Sequence, residues 1–421
     1  MPLGRHSESL SAGQQDSLNR RRFLRIGATT TAAALASRTS PAVEPTPRPS
    51  ADALIAGKDK RLVVHNAATL EIETPLELLR EYKLTPPELI FVRNNQQPPW
   101  ALTLGPADAK NWSLEVTGLV EYPRSIALAQ LTELPHVEQE MVLQCSGNGR
   151  ALFSRAAPAK GSQWEQGAVA NVRFRGVPLR AVLEHLDVHP HPSVRFVTAE
   201  GQDAPKSAND ADFEHSLPLA DALDRSLLAV ELNGQPLPAI HGGPLRLVTP
   251  GYYGTMHVKW LTRLRLEAQE SFNHHQVKRY RTPLRPIAPG AKFDYSLENS
   301  EPNWGMRIKS LMLSPLEGAR VKAGRTTLDG VAWNDGTARI DAVEWSTDGG
   351  RHWQRAELET PASRYAWYHW RAEPILFAGQ QTLLCRAVDT LGRTQPLDGS
   401  IDWNPAGYGW HGVQAVTVTA T

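Results

Sequence analysis

Apolar positions along the chain fall mostly in short continuous or alternating runs broken by Pro, Gly and Asp, and stretches with helical spacing are few and brief. The runs predict strands over Trp112–Val120, Met141–Cys145, Val194–Ala199, Leu227–Leu232 and Leu245–Pro250. A further strand, Leu89–Asn95, would deliver Arg93 to its end. Helical spacing predicts Thr74–Tyr82, opened by a capping residue and a first-turn proline, then Val177–Leu186 and a helical turn at Leu219–Asp224. There is no regular βαβ rhythm, no Gly-x-Gly-x-x-Gly and no Walker loop, so a mixed α+β domain is expected rather than a doubly wound nucleotide binder.

From about Ile308 the rhythm changes to short alternating strands: Val331–Trp333, Ile340–Ser346, Trp353–Leu358, Tyr365–Trp370, Thr382–Val388 and Val413–Val418. With Asp348-Gly349-Gly350 as a hairpin turn, this predicts an immunoglobulin-like β-sandwich. The Arg- and Pro-rich segment 278–290 reads as the crossing into that unit, which sets the expected division at 61–290 and 291–421.

Composition adds exclusions. An apolar content of 41% with 21% charged residues is that of a folded soluble chain, and twelve tryptophans with 32 prolines fit a strand- and loop-rich fold. A net charge of +1 gives no general attraction to nucleic acid or anionic membrane, so any anion must be bound by locally placed cations. Two cysteines cannot build a multi-cysteine zinc or iron–sulfur site, and the absence of Cys-x-x-Cys-His excludes covalently attached haem. Near the start, Arg20-Arg21-Arg22-Phe23-Leu24 precedes a weakly apolar stretch and Ala34-Leu35-Ala36. This order reads as a twin-arginine export signal over 1–36, followed by a linker over 37–60, and predicts a periplasmic protein. The alternative is a basic, flexible arm. The apolar stretch is too short and alanine-rich for a stable membrane span.

The most informative chemistry lies in Glu140–Arg150. A strand ends at Cys145, and Gly147 and Gly149 then allow a sharp turn and leave room beside the sulfur. A thiol there can serve as a nucleophile, a soft-metal ligand or a buried core residue. Cys385, inside the alternating run Thr382–Val388, reads as a core thiol. Arg93, Arg150, Lys160, Trp164 and the cluster from His241 to Trp260 accompany Cys145. Arginine forks and glycine-exposed amides suit a tetrahedral oxyanion or a phosphate, although each basic residue taken alone could equally be a solvated surface charge.

Taken together, Phe91-Val92-Arg93-Asn94, Leu143–Arg150, Trp164–Ala168, Asn233–Pro238, His241–Arg246, Pro250-Gly251 and His257–Trp260 resemble the sulfite oxidase family of molybdenum enzymes, and most of all its exported bacterial members. The segment Glu344–Trp353 looks like the family's dimerisation domain. The resemblance implies a sulfite-oxidase-type molybdopterin domain followed by the sandwich, one molybdenum-molybdopterin per chain, no haem, and a homodimer. It implies Cys145 as the molybdenum ligand and Arg93, Arg150, Lys160, Trp164 and Tyr280 around the substrate. It further implies that Asn94, Asn95, Asp203, His241, Arg246, Thr255, His257 and Lys259 hold the pterin. The implied reaction is oxidation of sulfite to sulfate, with electrons passed singly to an acceptor such as a c-type cytochrome.

Some positions depart from the family pattern. Asn95 stands where histidine is frequent, Ala406 where vertebrate members carry a pocket arginine, and Met256 where another arginine is found. Fewer cations weaken the hold on a small dianion. This keeps a sulfane-sulfur dehydrogenase or a sulfoxide reductase of the same fold in view, with a non-catalytic binding protein as the rival from another class. His274 and His275 carry no motif and are expected at the surface.

Overall fold

A computed structural model describes residues 55, 57–99, 108–203 and 212–421, so the proposed export signal lies outside the described residues. The cysteine-bearing strand, Val137–Gln144, pairs antiparallel with Val169–Pro178, which pairs in turn with Leu227–Leu232; Gln235–Pro236 and Arg246–Val248 both add to the latter. A second sheet runs Arg124–Ala127, Ser113–Gly118, Leu261–Glu267, Phe196–Gly201, Glu214–Pro218, with Ser113–Gly118 and Leu261–Glu267 parallel and the other pairs antiparallel. Short helices at Leu179–His185 and Leu219–Arg225 pack onto it through Leu179, Val182, Leu183 and Ala222. The C-terminal part is a sandwich of a four-stranded and a five-stranded sheet.

Alternation along the cysteine strand sends its side chains into two different cores. Met141, Leu143 and, just past the strand end, Cys145 join the cluster of Phe91, Trp164 and Phe174. Val142 joins Tyr253, Trp333 and Trp367 on the other face. A strand buried on both faces reads as a continuous apolar run, which is why this one is plain in the sequence. The Gln144 amide on the second face accepts the Trp333 indole N–H at 2.7 Å, and Val142 N–H donates to the Tyr365 carbonyl at 2.8 Å. These contacts tie the sandwich to the strand that carries the thiol.

Several expected elements differ. The segment Leu89–Asn95 is a turn with an isolated bridge from Val92 to Ile72, because Ile90 N–H folds back to the Pro86 carbonyl. The helix at Thr74–Tyr82 shortens to Leu76–Leu79. Trp353–Leu358 splits at Ala356: Gln354–Arg355 pairs in one sheet of the sandwich and Glu357–Leu358 in the other. Tyr365–Trp370 starts later, at Tyr368. The hairpin at Asp348–Gly350 forms as expected, with Gly349 and Gly350 at positive φ, and Cys385 is fully buried among sandwich residues. Val169–Pro178, Leu261–Glu267 and Lys309–Ser314 are strands that the pattern reading missed. Among the described residues no helix is long and apolar enough to cross a membrane.

Lys309 is 1% exposed, its ammonium has no hydrogen-bond partner among the described residues, and burial pulls its pKa down to about 7, with Glu73 opposing. An amine whose folded pKa lies below its unfolded value near 10.4 weakens the fold fully below the folded pKa, and the deficit vanishes as pH rises towards the unfolded one. Lys309→Met should therefore raise unfolding free energy at pH 7 by on the order of 2–4 kcal/mol. Denaturant melts should show the gain shrinking at pH 9.5; an equal gain at both pH values would contradict this origin.

Candidate functional site

The end of the cysteine strand, the turn before Asn95, the loop after His241 and the segment around Tyr280 enclose a cleft with about 650 Å³ of empty space, counting its mouth. Phe91, Arg93, Asn94, Asn95, Leu143, Cys145, Asp203, Phe213, His241, Arg246, Gly254, Thr255, His257, Lys259, Trp260 and Tyr280 line it. Eleven of the fourteen residues singled out above thus meet in one cavity.

Cys145 reaches the cleft because Leu143 and Cys145 share a face of their strand. Its amide donates to the Ala168 carbonyl at 2.9 Å, and Gly147 N–H approaches Sγ at 3.4 Å. Burial raises the thiol's pKa, while Arg93 and Arg150 act in the opposite direction and do not overcome it. The thiol is therefore neutral in the bare protein, and a thiolate here needs an additional cation. Arg93 lies 3.4 Å from Glu71 and donates to its neighbour's Asn94 carbonyl. Burial works against its charge, but its pKa is held above the ordinary value, with Glu71 the carboxylate beside it, so it stays a guanidinium.

Arg150 sits beside the cleft, 7% exposed, donating to the Ala406 and Ser162 carbonyls at 2.8 Å each and lying over the Tyr408 ring at 5.5 Å. Gly147 serves this arginine more than the sulfur: a Cβ there would come within 2.4 Å of Nη2. Tyr408 stacks in turn on Tyr280 at 5.3 Å, and Tyr280 is buried at φ +53°. Burial pushes the Tyr280 hydroxyl up to about 12, so it remains a donor.

The other end of the cleft is cationic. Arg246 donates to the His257 and His241 carbonyls at 3.1 and 2.9 Å, and Lys259 donates to Asn94 Oδ1 and the Ile240 carbonyl at 2.6 and 2.9 Å. These acceptors are neutral. Burial pulls Arg246 down to about 9 and Lys259 well below its ordinary value, with Arg246 adding to the effect on Lys259 and Asp203 opposing it. Among the described residues that line the cleft Asp203 is the one acid, moved up to about 8 by burial, and its Oδ2 has no partner among them. Buried cations left with carbonyl dipoles alone form a site prepared for an anion. Ser146 and Thr255 hydroxyls, 2.6 Å apart, join the cysteine turn to this end.

Of the three expected residues that do not line the cleft, Arg150 lies beside it and the other two stand further off. Lys160 is exposed, its backbone N–H tied to the Pro405 carbonyl at 2.8 Å, and the chain turns away at Gly161. Trp164 is wholly buried behind Cys145, with the His65 ring edge-on at 5.0 Å. The expectation of a surface His275 is also corrected: it is buried, with Nδ1 3.0 Å from the Asn95 amide nitrogen, whereas His274 is exposed. Tyr408, Phe213 and Trp260 were not anticipated. The first two had no motif signal, and Trp260 stood in a quoted motif whose neighbours drew the attention.

Gly407 is at φ +61°, and a Cβ on it would lie 2.5 Å from Arg150 Cγ and 2.8 Å from Ala159 Cβ. Gly407→Ala should cost about 1–3 kcal/mol in a denaturant melt, from left-handed backbone strain plus overpacking. A loss below about 0.5 kcal/mol would show that the loop relaxes freely.

Among the described residues no group of three or more His, Cys, Asp or Glu is placed to hold a metal ion. A soft metal at Cys145 would therefore take most of its ligands from a cofactor, and the carboxylate-poor cationic end fits the anionic part of such a cofactor.

Comparison with known proteins agrees with this geometry. Residues 102–275 match the family described as oxidoreductase molybdopterin binding domain, and residues 300–417 match the Mo-co oxidoreductase dimerisation domain. The mitochondrial sulfite oxidase of Mus musculus is 34% identical over 85% of this chain and 66% of its own length. The sulfite oxidase of Gallus gallus is 33% identical over 83% of this chain and 77% of its own. The chain spans about two thirds of the length of the mammalian relatives. Among solved structures, the sulfane dehydrogenase SoxCD from Paracoccus pantotrophus superposes with a TM-score of 0.70 at 26% identity, covering 86% of this chain and 90% of that one.

Proposed function

The chain belongs to the sulfite oxidase family of molybdopterin oxidoreductases, and from that premise we propose that it oxidises sulfite to sulfate at a molybdenum-molybdopterin centre. The observation that carries this is the division of one cleft into a thiol flanked by Arg93 and Arg150 and a cationic end with neutral hydrogen-bond acceptors. Cys145 would hold the metal through sulfur. Arg246, Lys259, His241, His257 and Thr255 would hold the pterin and its phosphate. The group supplies, when bound, the two-electron oxidation and oxygen transfer that no side chain here can perform.

The protein's part is to bind, orient and neutralise. Arg93 keeps its charge in the buried cleft and offers paired donors to a sulfur oxyanion. Arg150, with Nε and Nη1 occupied, keeps Nη2 beside Gly147 on the sulfur side. Tyr280 keeps its proton and can donate it to a substrate oxygen. Overall, sulfite and water give sulfate, two protons and two electrons, and the electrons leave one at a time to an external acceptor such as a c-type cytochrome. Homodimerisation through the sandwich is supported by the match at 300–417, and export to the periplasm by the twin-arginine order at the start of the chain.

A second reading, oxidation of a sulfane sulfur, draws on the likeness to SoxCD and on Ala406, which leaves the sandwich loop without a cation. Comparative rates on sulfite and on a persulfide separate the two.

Protein from a cofactor-competent host should contain about one molybdenum per chain and reduce ferricyanide or cytochrome c when sulfite is added. Cys145→Ser should abolish turnover and keep the circular-dichroism spectrum and melting temperature; retained activity would sink the assignment. Arg93→Gln should lower kcat/KM for sulfite by at least about tenfold, chiefly through KM, as loss of one buried charge-assisted contact requires.

A further inference from the structure

Lys58 lies outside the residues matched by the molybdopterin-domain family and reaches the cationic end of the cleft from behind. Its segment is held by turns and pairings, Lys58 N–H to the Ile55 carbonyl and Asp59 N–H to the Glu88 carbonyl. Leu62 packs with Leu89, Val92 and Ile240, the residue before His241. The ammonium then spends its three N–H groups on the Pro87 carbonyl at 2.6 Å, the Ile90 carbonyl at 2.7 Å and His241 Nε2 at 2.9 Å.

With Lys58 charged, as an anion in the site would keep it, the amine has donors and no acceptor, so Nε2 of His241 accepts and the ring carries its proton on Nδ1. His241 is pushed well below its ordinary pKa by burial first and by Lys58, Lys259 and Arg246 next, which agrees with a neutral ring in one tautomer. Lys259 holds the Ile240 carbonyl and Arg246 the His241 carbonyl, so three cations converge on this dipeptide. All their hydrogen bonds go to neutral groups among the described residues. Burial also lowers Lys58, to about 7, with Glu88 opposing. This arrangement is costly on its own and becomes favourable once an anion shares the site.

We propose that Lys58 is a positioning residue of the pterin site, fixing His241 as the Nδ1–H tautomer and adding a third buried cation where the anionic part of the cofactor binds. The inference rests on reading the cleft as a molybdopterin site. It gives Gly57–Leu62, which overlaps the end of the segment expected to be a linker, a direct part in holding the cofactor.

The test uses Lys58→Met and Lys58→Arg in the full chain, made both in a cofactor-competent host and in one that makes no molybdopterin. Pterin per chain and its rate of release in dilute urea are read by fluorescence after oxidation, and the cofactor-free proteins are compared by thermal melting. Lys58→Met should release pterin at least ten times faster than wild type or hold less than a third as much. Lys58→Arg should recover most of the loss, and cofactor-free Lys58→Met should melt at or above cofactor-free wild type. Wild-type pterin content and release in Lys58→Met would overturn the proposal. So would a cofactor-free Lys58→Met that melts well below wild type, since the lysine would then be a strut of the fold. Wild-type protein that carries no pterin would instead overturn the reading of the cleft, and this inference with it.

Discussion

Everything in the site depends on one strand being buried on both faces. Val137–Gln144 offers Met141 and Leu143 to the core behind the cleft and Val142 and Gln144 to the sandwich. Side-chain alternation then leaves Cys145 no choice of direction, because a one-residue slip would expose the thiol to the sandwich and put a glutamine in the cleft. The Gln144–Trp333 hydrogen bond makes that slip costlier still, since it would strand a buried amide and a buried indole together. Rigidity at the sulfur is therefore a consequence of packing from two directions.

The second constraint is electrostatic. A chain with a net charge of +1 gathers Lys58, Arg246 and Lys259 around His241 in a buried pocket where Asp203, the one lining acid among the described residues, is itself shifted towards its neutral form. Such a cluster opposes folding when empty, and an anion that binds only the folded state returns that free energy as apparent stability. Loading and folding are thus linked by the same charges.

Much of the cleft was legible because its residues lie in short, composition-rich motifs: Cys145 with its glycines, Arg93 before two asparagines, and the His241–Lys259 stretch. What escaped was of two kinds. Val169–Pro178 carries Arg173, Arg175 and Gly176 inside a strand, which breaks the apolar run although its sheet neighbours supply the burial. Lys58, His275 and Tyr408 act through contacts far along the chain, to residues 241, 95 and 280. Local periodicity carries no information about such pairings, and a lone lysine or histidine in a polar stretch reads as surface. Lys160, suggested for the pocket by its neighbourhood in sequence, is exposed, with its backbone paired to Pro405 before the Gly161 turn.

The contribution of the sandwich to the cleft follows from the same geometry. Its loop Asn404–Gly409 is locked by the Asn404 side chain, which accepts from Tyr408 N–H at 3.0 Å and donates to the Tyr408 carbonyl at 2.9 Å, and by Gly409 N–H on the Ser146 carbonyl at 2.8 Å. With Ala406 in place of a cation, the loop offers a carbonyl to Arg150 Nε and the Tyr408 ring to its guanidinium face. At this loop the chain thus supplies two groups that orient Arg150. An oriented arginine gives geometric selectivity, while a further charge would give general attraction.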